Sequence, residues 1–205
     1  MAGQVARAHL YPLHDLLRTM PHIALISASV RTGRKSHRVA LHLQKSAEQA
    51  GHTVDMLDLL EFKFPLFEER IKNMKEAPAN VVDFAERIRR SDGVIIVTPE
   101  YNGTPPASLK NVLDLLTDDW AKKPIAISTV SAGAFGGMQC ITSLVFAFWK
   151  IKGWVVPAML PVPKVQEAFA EDGTPADPEG WAKRTKAFID ELVWAIEAKR
   201  RMQAE

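Results

Sequence analysis

Four cations crowd one short stretch, SASVRTGRKSHR, residues 27–38: Arg31, Arg34, Lys35 and Arg38, beside the hydroxyls of Ser29, Thr32 and Ser36. An apolar run, HIALISAS (22–29), leads in, and a helix-patterned segment leads out. A strand-to-helix turn of this kind aims free backbone N–H groups and the positive end of the helix dipole at one point. Together with the side chains it makes a site for an anion of phosphate size. A helix N-cap would account for Ser36 alone, not for the remaining cations and hydroxyls. Two standard phosphate loops do not match. The dinucleotide fingerprint needs three spaced glycines, and only Gly33 is present. The Walker loop needs Gly-Lys-Ser/Thr, where this chain has Gly33-Arg34-Lys35-Ser36.

A second unusual stretch, TPEYNGTPPASLKN (98–111), follows the apolar run GVIIV. Pro99 restricts Thr98 to extended geometry. Tyr-Asn-Gly supports a tight turn, because Asn and Gly tolerate positive φ. Pro105 and Pro106 stiffen the exit. The expected result is a rigid rim, with exposed backbone N–H and C=O groups beside an aromatic ring, suited to a flat heteroaromatic ligand. Phosphate on one loop and a planar ring on the other describe a mononucleotide such as FMN. Taken singly, the prolines are equally explained by turn chemistry, Glu100 by a solvated acid, and Tyr101 by a core or interface aromatic.

These loops need a frame. Strands are expected at 22–29, 52–59 (edge-like), 92–99, 123–130 and 154–160. Helices are expected between them. The first opens at Ser36 and closes on Gly51, with Val39, Leu43 and Ala47 on one face. The next runs over 79–90, with Val81, Phe84, Ala85 and Ile88 in register. The following helices span about 106–117, 138–152 and 178–200. That over 138–152 aligns Ile141, Leu144, Val145, Phe148 and Trp149, more apolar surface than one sheet face needs, so it is either a fully buried core helix or a subunit interface. The last aligns Trp181, Thr185, Phe188, Leu192 and Ile196. Residues 61–78 read as irregular. Five strands separated by helices imply a parallel sheet covered on both faces, a flavodoxin-like three-layer α/β sandwich of order 2-1-3-4-5. In that order a ligand sits beyond the carboxyl ends of strands 1 and 3, where the two unusual loops fall.

The 205 residues fit one such domain over 21–205, preceded by a loosely ordered extension over 1–20. A net charge of +2 argues against a dedicated nucleic-acid binder. No apolar run is long enough to span a bilayer. Cys140 is the only cysteine, which excludes an intramolecular disulfide and multi-cysteine metal sites and points to a reducing cytoplasm.

The residues carry a family resemblance. SASVRTGRKSHRVA resembles the phosphate loop of the NADPH-dependent FMN reductase family, usually Gly-Ser-x-Arg followed shortly by Ser, with Ala28 where the family often has glycine. TPEYNGTPPASLKNVLDLL resembles its second signature, Pro-Glu-Tyr-Asn, a Pro turn, then Leu-Lys-Asn-x-Leu/Ile-Asp. STVSAGAFGGMQC resembles its third loop and VPKVQEAFAEDG its tail, so the likeness covers roughly residues 21–200. It implies FMN phosphate held by Ser29, Arg31 and Ser36, with His37 and Arg38 nearby. It implies the isoalloxazine edge against Pro99, Glu100, Tyr101, Asn102 and Gly103. Ser131, Ala132 and Gly133 would approach the ring or ribityl chain, while Gly136 and Gly137 serve the turn into the next helix.

The implied activity is hydride transfer from NADPH or NADH to quinones, azo dyes, nitro compounds, chromate or free flavin, by a homodimer or homotetramer. No catalytic side chain is assigned, because the flavin carries the chemistry, and no metal is expected. Arg34, Lys35 and Arg38 are surplus cations that lean towards the 2′-phosphate of NADPH. The other reading is a flavodoxin-like FMN electron carrier or redox sensor without small-acceptor turnover. Carriers are commonly acidic, and the slightly basic chain favours the enzyme.

Overall fold

The structure, a computed structural model, describes residues 20–204. The extension expected over residues 1–20 lies, apart from Met20, outside the described residues. The chain runs β1 (His22–Ser27), α1 (Ser36–Gln49), β2 (Thr53–Asp58), α2 (Leu59–Phe62), α3 (Ala79–Arg90), β3 (Gly93–Pro99), α4 (Ala107–Leu115), β4 (Pro124–Val130), α5 (Gln139–Lys150), β5 (Trp154–Val162), α6 (Val165–Ala168) and α7 (Pro178–Ala204). The five strands form one parallel sheet in the order β2-β1-β3-β4-β5. Every residue of β3 and β4 is buried, as a strand covered on both faces must be.

Alternation along the strands splits the core into two layers. Ala24, Ile26, Val94 and Ile96 pack with Phe84, Leu109, Val112, Leu144 and Phe148 from α3, α4 and α5. Ile23, Leu25, Ile95 and Val97 pack with Val39, Leu43, Phe188 and Leu192 from α1 and α7. The expected register of α3 is met at all four positions, each buried. Its carboxyl end is closed by Lys123, whose Nζ donates to the carbonyls of Ile88 (2.9 Å), Arg89 (3.2 Å) and Ser91 (2.5 Å).

Several sequence expectations need correction. β1 ends at Ser27, and residues 28 and 29 already belong to the loop. Ser36 is the first residue of α1 and does not cap it. Lys35 holds the cap position in αR geometry, with no side-chain bond to the helix. The physical reason is a tight turn, Arg34 N to Arg31 O at 3.1 Å, that winds directly into the helix. In α5, Ile141, Leu144 and Phe148 are buried, but Val145 is exposed and Trp149 is 68% exposed. The fully buried reading of that helix therefore fails, because only one face meets the sheet. A short helix and a 3-10 turn (Ile71–Asn73) occupy part of the segment expected to be irregular. Another 3-10 turn, Thr117–Trp120, follows α4.

The two sheet edges differ from the interior. β2 carries Asp55, held by Arg87 and Arg90. β5 carries Pro157 and Pro161 and shifts register against β4 between Ile125 and Ile127. Among the described residues, no helix is long and apolar enough to cross a membrane.

Candidate functional site

β1 and β3 are neighbours in the sheet, and the winding reverses between them. At their carboxyl ends opens a cleft of about 360 Å³. Loop 28–35 and the start of α1 supply Ser29, Arg31, Gly33, Arg34, Lys35 and Ser36. The end of β3 supplies Pro99, Glu100 and Tyr101. The end of β4 supplies Val130, Ser131 and Ala132, and α6 adds Val165. His37, Arg38, Asn102, Gly103 and Gly133 do not line it. Lys35, expected from its charge to serve a 2′-phosphate, lines the cleft, and Val165 has no local signal in the sequence.

The four loop cations are not equivalent. Arg34 is clasped by both carboxylate oxygens of Asp58, and its Nη1 also donates to Ser29 O at 2.8 Å. Arg38 donates to Phe169 O at 2.9 Å and lies 3.5 Å from Glu171. These bonds commit two of the three cations expected to serve a 2′-phosphate. Arg31 and Lys35 line the cleft with no ion-pair partner among the described residues. His37 Nδ1 lies 3.1 Å from Ser27 Oγ and 3.6 Å from Asp58. Burial, and then the Arg34 guanidinium, lower its pKa, so the imidazole is neutral at neutral pH. Ser36 Oγ is buried without a hydrogen-bond partner. A buried hydroxyl normally finds a partner, and here it sits at the positive end of α1, near two cations that have no ion-pair partner among the described residues. That arrangement fits an anion of phosphate size.

The rim is a two-residue turn. Tyr101 and Thr104 exchange backbone bonds of 2.8 and 3.1 Å across Asn102 (φ 53°) and Gly103 (φ 81°). This is the positive-φ turn that Asn-Gly supports. The expected free backbone donors are absent at two positions, since Glu100 N bonds Val130 O (3.2 Å) and Tyr101 N bonds Thr104 O. The Tyr101 hydroxyl lies 2.9 Å from Ser29 Oγ, joining rim to phosphate loop.

Glu100 has a role that the sequence did not reveal. Its Oε2 accepts from Gln139 N (2.9 Å) and Cys140 N (3.3 Å), satisfying the first turn of α5. Burial, and then Glu100, push the Cys140 thiol up to about 12, which leaves it inert as a nucleophile. Glu100→Ala is expected to lower stability by about 1–2 kcal/mol, as for loss of a helix cap. Glu100→Gln, which keeps an acceptor oxygen but not the charge at the helix end, should lose about 0.3–1 kcal/mol. Urea unfolding measures both, and an unchanged midpoint for Glu100→Ala would remove the capping role.

The third loop is laced to the end of β5: Ser131 N bonds Val162 O (3.0 Å), Lys164 N bonds Gly133 O (3.0 Å) and Gln166 Nε2 bonds Ala132 O (3.2 Å). Gly137 turns this loop into α5 at φ 77°, where a Cβ would stand 3.1 Å from Thr129 Cβ and Val130 N.

Comparison with known proteins agrees with this geometry. The model of the NADPH-dependent FMN reductase family matches residues 21–167. The quinone reductase of Escherichia coli is 38% identical over 122 residues, which is 58% of this chain and 64% of that protein's length. The FMN-dependent NADPH-azoreductase of Staphylococcus haemolyticus is 27% identical over 82% of this chain and 92% of that protein. Among solved structures, the flavoenzyme NAD(P)H:(acceptor) oxidoreductase FerB of Paracoccus denitrificans superposes with a TM-score of 0.71 at 29% identity, over 87% of this chain and 98% of that one.

Proposed function

The chain belongs to the NADPH-dependent FMN reductase family, and on that premise we propose that its cleft binds FMN and that it transfers hydride from NADPH or NADH to small acceptors such as quinones or azo compounds. The observation that carries the proposal is a cleft lined by the Pro99–Tyr101 rim and by Ser36, Arg31 and Lys35, where among the described residues the buried Ser36 hydroxyl has no hydrogen-bond partner and the two cations no ion-pair partner.

Ser29, Arg31 and Ser36 are the proposed phosphate contacts. Pro99, Glu100, Tyr101, Asn102 and Gly103 are proposed for the ring edge, and Ser131, Ala132 and Gly133 for the ring or ribityl chain. FMN, when bound, supplies the two-electron chemistry. The chain's own groups bind and orient: the guanidinium and ammonium meet anionic charge, the rim turn fixes the tyrosine, and the apolar walls of Val130 and Val165 limit water. Mass spectrometry of the heat-released chromophore should find FMN. FAD, or a colourless protein that ignores added FMN, would overturn the reading. Steady-state NADPH oxidation at varied quinone should give parallel double-reciprocal lines, because donor and acceptor would use one cleft in turn. Intersecting lines would contradict that sharing.

The same proposal covers assembly and compartment. Val145, Phe146 and Trp149 of α5 and Met138, which precedes it, are exposed, with the Phe146 and Trp149 rings 5.8 Å apart. An apolar patch on one helix face suits an isologous contact with a second copy. Phe146→Glu combined with Trp149→Glu should convert an oligomer to a monomer by light scattering without changing the released chromophore. A wild type that is already monomeric would dismiss this interface. The single, buried Cys140 supports a reducing cytoplasm.

A further inference from the structure

Ser29 is fully buried and is held from two sides. Its carbonyl accepts from Arg34 Nη1 at 2.8 Å, and Arg34 is gripped by Asp58. The side chains of that pair are only 13% and 6% exposed, so solvent screens it little. Asp58 is itself fixed, because it ends β2 and its Oδ1 accepts from Leu60 N at 3.1 Å, capping α2. On the other side, Ser29 Oγ lies 2.9 Å from the Tyr101 hydroxyl and accepts from Arg31 N at 3.4 Å. A line of contacts thus runs from the sheet edge at Asp58, through the phosphate loop, to the rim turn.

We infer that Tyr101 and the Arg34–Asp58 pair are positioning residues that preset the Ser29 hydroxyl for the flavin phosphate, so that discrimination between FMN and riboflavin depends on the rim tyrosine. The inference rests on the FMN reading above. A serine hydroxyl has one proton to give and two lone pairs to receive. Either hydroxyl of the Tyr101–Ser29 pair can donate; in the orientation inferred here Tyr101 O–H donates to Ser29 Oγ, as Arg31 N–H does, and the acceptor sites of Ser29 are filled. Its own proton is then free for an anion in the cleft. Without the phenolic hydroxyl, the Ser29 rotor is free to turn that proton elsewhere. Arg34 has a different task from the one its charge suggests. Bonded to Asp58 and to the Ser29 carbonyl, it fixes where the loop backbone stands and is not the cation that meets the phosphate.

Tyr101→Phe is the informative substitution because it keeps the ring and removes only the hydroxyl. Apoprotein is titrated with FMN and with riboflavin by flavin fluorescence, and thermal unfolding is followed for each variant. The ratio of FMN to riboflavin affinity should fall about five- to tenfold, the worth of one hydrogen bond. Ser29→Ala should lower the ratio comparably, and the double variant should fall no further than Ser29→Ala alone. Arg34→Lys keeps the charge but not the second nitrogen with which the guanidinium grips the other Asp58 oxygen, so it should also lower the ratio. An Arg34→Lys protein with the wild-type ratio would overturn the brace. Equal loss of both flavins in Tyr101→Phe, or additive losses in the double variant, would overturn the tyrosine's role and leave it a ring contact only. A wild type that binds FMN and riboflavin equally, or neither, would instead remove the FMN reading and this inference with it.

Discussion

Arg31→Ala is expected to weaken FMN binding about ten- to a hundredfold, a loss of roughly 1.5–3 kcal/mol for a hydrogen-bonded charge. Among the described residues, Arg31 and Lys35 are the loop cations that line the cleft without an ion-pair partner, whereas Arg34 and Arg38 are bonded to protein oxygens. A guanidinium can meet two phosphate oxygens at once, with charge-assisted bonds about twice as strong as neutral ones. Arg31→Lys should lose less, because it keeps the charge and not the fork. Lys35→Ala should also lose less on FMN, since an ammonium acts as a point charge there. Fluorescence titration of apoprotein reads all three. Wild-type affinity in Arg31→Ala together with a large loss in Lys35→Ala would reassign the phosphate contact.

The largest effect on stability is expected at Trp120. It is fully buried in the 3-10 turn after α4, with its ring edge-on to Phe148 at 5.5 Å and 73°. Trp120→Ala should cost about 3–5 kcal/mol through lost burial and the cavity left behind. Among the described residues the buried indole Nε1 has no hydrogen-bond partner, so no hydrogen bond to them is forfeited on substitution. Trp120→Phe, which refills most of the volume, should therefore cost less than about 1.5 kcal/mol. Denaturant unfolding separates the two outcomes. Similar losses for both variants would mean that the indole N–H has a partner, such as an ordered water.

The frame of this molecule was legible because its helices and strands obey local periodicities. The spacing of Val81, Phe84, Ala85 and Ile88 located α3, short apolar runs located four strands, and alternation along residues 52–59 located β2. Two loops with unusual chemistry then fell at the ends of β1 and β3 by topology alone. What remained hidden depends on separation along the chain. Arg34 and Asp58 are 24 residues apart, and Glu100 and Gln139 are 39 apart. A single sequence shows the charges but not which of them meet, so Arg34 read as a free cation and Glu100 as a solvated acid. The apolar excess of α5 was visible, but which flank of the helix would face the sheet was not. Ser36 read as a cap because Ser at a helix start usually is one; the turn through Arg34 moved the boundary by one residue and left its hydroxyl buried with no hydrogen-bond partner among the described residues.

The borders of the sheet bear on what happens when such chains meet before or after folding. A bare outer strand is a template on which a neighbouring molecule can add its own, and repeated addition builds insoluble fibres. Pro157 and Pro161 give β5 two positions with no N–H to offer a newcomer, and the shifted register bends the strand away from the flat form that stacking needs. At the opposite border, a newcomer to β2 would have to lie beside the Asp55–Arg87–Arg90 cluster. Sheet extension is thereby disfavoured at both ends, and Pro157→Val with Pro161→Val should raise thioflavin-positive aggregation on prolonged incubation while the wild type stays clear.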